Sequence, residues 1–84
     1  MKPVRFTRHA LDQCSERGAS EAEITQAIEH GTWEPARLGR VLCKFNFAYG
    51  GLWQGKPYAI KQVDPVIKEE SDEIVVVTVY TFYF

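Results

Sequence analysis

His9, Gln13 and Arg17 stand four residues apart in the stretch TRHALDQCSERG, residues 7–18. On an α-helix that spacing stacks the three side chains along one edge. An imidazole exchanges its proton near neutral pH, so His9 is a candidate acid or base. A guanidinium offers a planar fork to phosphate oxygens, so Arg17 is a candidate phosphate clamp. Gln13 adds a binding group between them. Together they suggest a metal-independent ribonuclease. In such an enzyme a base takes the 2′-hydroxyl proton, an acid protonates the leaving oxygen, and a cation steadies the pentavalent phosphate. Two helical turns separate His9 from Arg17, roughly 12 Å. They would therefore meet adjacent nucleotides, or a strand residue would have to complete the site. The competing reading is structural. Arg17 would lay its stem along the core margin and pair with a carboxylate, and His9 would bond to the backbone.

The second half of the chain supplies further candidates. Arg40, Lys44 and Lys61 are cations in strand-like segments, and Thr78, Tyr80 and Thr81 carry hydroxyls. Tyr80 joins His9 and Arg17 as a catalytic candidate, because a phenol beside the helix margin could bond to a nucleotide or to His9. Trp53 lies in YGGLWQGKPY, residues 49–58, with Tyr49, Lys56 and Tyr58, a set that could stack on bases. Gln13, Lys61 and Trp53 are thus the candidate binding residues. Bland readings stand beside these: Thr and Tyr favour strands on propensity alone, and a hairpin tryptophan can fold back on its sheet.

Other chemistries are excluded. Gly55-Lys56 is followed by Pro57, not by Ser or Thr and a helix, so there is no phosphate-binding P-loop. Cys14 and Cys43 form no CxxC and read as two buried thiols. Cys14 falls about 140° round the helix from His9, so the two would not share a metal. No nucleophile elbow is present. Neither a metal nor a cofactor is expected.

The elements that must hold these residues follow from capping and periodicity. Residues 3–6 read as an extended lead-in. Thr7 is a candidate N-cap for a first helix, which buries Phe6, Ala10 and Cys14 and ends at Gly18 in the left-handed conformation. Ser20 with Glu23 makes a capping box for a second helix. Ile24, Ala27 and Ile28 are its buried stripe, and Gly31 closes it. The period then changes from 3.6 to 2. Residues 33–36 form a connection or short edge strand. Residues 40–48 (RVLCKFNFA) alternate as a half-buried strand. Residues 49–57 read as a hairpin connection longer than two residues. Residues 58–63 form the next strand, with Asp64-Pro65 ending it, and residues 68–73 (KEESDE) turn at the surface. Residues 74–84 (IVVVTVYTFYF) are apolar on both faces, as in a central strand. The expected fold is α+β: two N-terminal helices packed on one face of a three- to four-stranded antiparallel sheet, all in one domain, 1–84, with the helix pair over 7–31 and the sheet over 33–84. The far side of the last strand would need a partner, either a second copy or another protein.

With 84 residues and a net charge of −1, the chain is not a general polyanion binder. No apolar run approaches the ~20 residues of a membrane helix, and the first residues lack the apolar region of a signal peptide. No membrane association is expected, and a cytoplasmic location is.

Several of these residues together resemble a known family. Thr7-Arg8-His9-Ala10, Glu16-Arg17-Gly18-Ala19-Ser20, Glu23-Ile24, Ala27-Ile28 and Gly31 match the opening pattern of the bacterial family catalogued as domain of unknown function 4258. Ile74-Val75-Val76-Val77-Thr78-Val79-Tyr80 resembles its closing strand. That family is similar to the RelE and BrnT toxins, within a wider group of small ribonuclease folds that includes barnase and the colicin nucleases. The resemblance implies a helix pair on a four-stranded antiparallel sheet, and a nuclease-type site using His9 and Arg17. Three functions follow as expectations: a toxin-like metal-independent ribonuclease acting on RNA, a non-catalytic domain that pairs through its sheet face with itself or an antitoxin-like protein, or a ligand or single-strand binder built on the Trp53 loop.

Overall fold

A computed structural model describes residues 1–84. Both helices form where capping and periodicity place them. Helix α1 (Arg8–Arg17) starts at Thr7, whose side chain accepts from the Ala10 amide, and stops at Gly18, with φ +73°. Helix α2 (Glu21–His30) carries the full reciprocal capping box of Ser20 and Glu23. Ala10, Cys14, Ile24 and Ile28 meet Cys43, Val63, Ile67, Val76 and Val79 in the core. No helix is long and apolar enough to cross a membrane.

The sheet has five strands and is mixed, which corrects the expected three- to four-stranded antiparallel one. They are β1 (Val4–Phe6), β2 (Thr32–Pro35), β3 (Val41–Trp53), β4 (Lys56–Glu69) and β5 (Ile74–Tyr83), ordered β1-β5-β4-β3-β2. The extra strand is the lead-in. β1 pairs in parallel with β5, Val4 opposite Ile74 and Phe6 opposite Val76. Three residues are too few to show an alternation, and a parallel pairing needs a distant partner that local patterning cannot reveal. The remaining pairings are antiparallel.

Two further boundaries move. The hairpin between β3 and β4 turns on two residues, Gln54 and Gly55, both with positive φ, as in a type I′ turn. Gly50, also at positive φ, sits instead in a β-bulge between Ala48 and Gly51. Asp64-Pro65 does not end β4. The strand runs on to Glu69, with Asp64 opposite Tyr80 and Pro65 opposite Val79 on β5. The β3–β4 ladder skips both residues, as a proline without an N–H requires.

The helices cover one face. Cys43 and Val63 face them, so by alternation Leu42, Lys44, Gln62, Asp64 and Val66 face the other way. On β5 a bulge falls between Val76 and Thr78. It lets Val76 and Val79 both point at the helices while Thr78, Tyr80, Phe82 and Phe84 turn to the open face.

Candidate functional site

The site begins where β1 stops. Beyond Val76 the outer edge of β5 has no strand beside it. Thr7 redirects the chain there: its N–H donates to Val76 O at 3.1 Å, and its hydroxyl donates to Val77 O at 3.4 Å. Helix α1 then runs along the vacant edge. Gln13 Oε1 accepts from the Val79 N–H at 3.0 Å and from the Thr78 hydroxyl. Arg17 Nη1 donates to Val79 O at 2.6 Å. The hydroxyls of Thr81 and Tyr83 each donate to Arg17 O at 3.0 Å. Side chains of a helix thus take the place of a sixth strand, which satisfies backbone groups that an open edge would expose.

The four-residue row therefore lies along β5, not over open solvent. His9 is exposed, with Nε2 3.4 Å from the Thr78 hydroxyl. The Arg17 guanidinium sits 5.3 Å from the centre of the Tyr80 ring, a cation–π contact. Tyr80 itself is 43% exposed. It lines two grooves. One, about 370 Å³, is formed by Glu16, Arg17, Trp53, Gln54 and residues 80–83 of β5. The other, about 320 Å³, runs from residues 35–37 and Arg40 across Leu42 and Val66 to Thr78 and Tyr80. Each groove carries guanidinium groups: Arg17 in the first, Arg37 and Arg40 in the second.

Of the residues singled out by sequence, His9, Gln13, Arg17 and Tyr80 are gathered at this edge. Trp53 reaches it from the hairpin. Its ring stacks on Tyr83, centroids 4.8 Å apart and 11° between planes, and covers Gly18. Lys61 is elsewhere. Its ammonium is buried on the helix side, where it bonds to Glu23 Oε1 at 2.8 Å and to Gly18 O. Burial pushes the Glu23 carboxyl up, but the Lys61 and Ser20 bonds outweigh it and hold it below its ordinary value. Both cysteines are free and buried, and burial raises both thiols, Cys43 to about 12. Neither is a nucleophile at neutral pH.

Sequence reasoning passed over Asp64. It is 3% exposed, at the middle of the open face. Gln62 Nε2 donates to Oδ2 at 2.8 Å, whereas Oδ1 is buried with no partner. Burial pushes this carboxyl up, with Glu34 adding to the rise and Gln62 and Lys44 opposing it. One signal was available: an acid inside the apolar run VDPVI is unusual unless it marks a break or a site.

A family model described as "Domain of unknown function (DUF4258)" matches residues 6–81, and the chain belongs to that family. No curated protein and no solved structure matches it significantly.

Proposed function

We propose that this DUF4258 member binds single-stranded RNA along the outer edge of β5 and cleaves it without a metal ion, as a toxin of the RelE or BrnT type would. The observation that carries the reading is Tyr80: an exposed phenol shared by two grooves, with Arg17 on one side and Arg37 and Arg40 on the other. A sugar-phosphate chain crossing Tyr80 would meet a cation on each side of a ring on which a base can stack. Arg17 spends one N–H on Val79 O. The rest of its fork is available to phosphate. His9, exposed and 3.4 Å from the hydroxyl of Thr78 on the second groove, would protonate the leaving oxygen. Trp53 offers a second stacking surface. Gln13 holds β5 in position for the others.

Induced expression in a bacterial host tests this. Wild type should arrest growth and degrade cellular RNA. His9→Ala and Tyr80→Ala, both at exposed positions, should relieve the arrest at an unchanged melting temperature. Normal growth with intact RNA under wild-type induction contradicts the reading.

A second reading, pairing through the open sheet face, has its own support. Phe82 and Phe84 are 49% and 57% exposed there. Exposed aromatics of this kind mark contact surfaces. A second copy or an antitoxin-like protein would cover them. Light scattering at micromolar concentration should then give twice the 9.6 kDa of the chain, or a co-purifying partner. A clean monomer removes this reading.

A further inference from the structure

Beyond Val79 the outer edge of β5 is bare. Phe84 exchanges both backbone hydrogen bonds with Ile60 of β4, at 2.8 and 3.1 Å. Antiparallel pairs alternate in type. Phe82 opposite Gln62 and Tyr80 opposite Asp64 therefore also bond inward, and the N–H and C=O of Val79, Thr81 and Tyr83 turn outward. Val79 is served by Gln13 and Arg17. Thr81 and Tyr83 are served by nothing: β1 stops at Phe6 opposite Val76, α1 ends at Arg17, and no side chain bonds to their backbone. Four backbone groups thus lie along the first groove without a partner in the chain. An edge of this kind is a template for another strand. Beside it on the open face stand Tyr80, Phe82 and Phe84, 43%, 49% and 57% exposed.

We propose that this edge pairs with the same edge of a second copy, β5 antiparallel to β5 about a two-fold axis. The phase of the free groups selects the register. Thr81 opposite the partner's Tyr83, and Tyr83 opposite the partner's Thr81, uses all the free groups of both copies in hydrogen bonds. Thr81 opposite the partner's Thr81 would instead set Tyr83 against Val79, whose groups Gln13 and Arg17 already hold. In the selected register Phe82 meets the partner's Phe82 at the axis, and Tyr80 meets the partner's Phe84 on the same face. Cross-strand aromatic pairs of this kind are favourable. The occupant is a second copy because the edge is its own complement: the hydrogen-bond phase and the aromatic row both map onto themselves under the two-fold. Each α1 closes the edge at Val79, outside the paired residues, so both helices stay where they are. Two five-stranded sheets become one, with both helix pairs on the same face. The pairing goes beyond the ribonuclease reading and needs no RNA. Because residues 80–83 wall the first groove, a second copy and an RNA strand would compete for it.

The test joins light scattering to amide hydrogen exchange on the protein alone. Wild type should give twice the 9.6 kDa of the chain. In that state the amides of Thr81 and Tyr83 should exchange at least roughly tenfold more slowly than in a monomeric variant. Phe82→Lys supplies that variant, since it sets two ammonium groups against each other at the axis. Phe82 is half-exposed, so the fold should survive the change with its melting temperature little altered. A second variant reads the register directly. Phe82→Cys places two thiols in a pair whose Cα atoms are about 4.5 Å apart, within disulfide reach. It should form a linked dimer on mild oxidation, and the native cysteines, both buried, would not. A wild-type monomer overturns the inference. So does a dimer whose Thr81 and Tyr83 amides exchange as fast as in Phe82→Lys, because that is pairing through the open face and not the edge. The ribonuclease reading stands or falls separately, on growth and RNA integrity.

Discussion

Asp64 ionises against its surroundings, and that makes a stability prediction independent of any activity. Its folded-state pKa lies above the value of about 3.9 in an unfolded chain. The folded protein therefore keeps this proton longer, and stability falls as pH rises from that value through the folded pKa. Asp64→Asn replaces the buried titratable carboxyl with an uncharged amide. The variant should melt roughly 4 °C or more above wild type at pH 7, as expected for about 1 kcal/mol in a domain of this size, and the gap should close toward pH 4. A variant that melts below wild type at pH 7 would mean the carboxylate is stabilised by its setting. Glu23 behaves in the opposite sense. Its folded-state pKa is lowered, so its contribution is present above the unfolded value and is lost as pH falls through the folded one. Lys61 is 7% exposed and leans on it. Glu23→Ala should cost about 3 kcal/mol in a urea titration, because it strands a buried ammonium.

The elements explain why a helix edge that reads as chemistry also does structural work. The four-residue spacing of His9, Gln13 and Arg17 was legible, and so were the caps at Thr7, Ser20 and Gly18. Their target was not legible, because three-residue β1 hides the fact that β5 has a bare edge beyond Val76. Gln13 and Arg17 close that edge through Val79. Gln13→Ala should therefore expose the Val79 amide, with faster hydrogen exchange at Val79 than at Val63 in the core, and about 1–2 kcal/mol of lost stability. Unchanged protection at Val79 would contradict the edge-closing role. The joint after α1 is equally constrained. Gly18 has φ +73°, and a Cβ there would lie 2.5 Å from the Trp53 ring. Gly18→Ala should cost about 1–3 kcal/mol and shift Trp53 emission as the stack on Tyr83 is displaced. Emission identical to wild type would mean that Trp53 does not rest on Gly18.

Across the whole molecule, local pattern revealed the helix pair, the strands that follow it and the two-faced last strand, but not the strand β1 that precedes the helices. It missed what depends on pairings between distant residues. The parallel β1–β5 contact, the passage of β4 through Pro65, and the convergence of Arg37, Arg40 and Tyr80 on one groove all need the folded sheet. A net charge of −1 likewise conceals that three arginines border the grooves on Tyr80. Local charge, not the total, decides whether a phosphate chain can settle there. The most direct measurement is therefore a titration of 15N-labelled protein with a non-cleavable, 2′-deoxy single strand, followed by amide and indole shifts at low salt. The account predicts shifts concentrated at residues 78–83, at Arg17, at residues 36–42 and at the Trp53 indole, fading as salt is raised. An unchanged spectrum, or shifts confined to the outer edge of β2 or to α2, would contradict it.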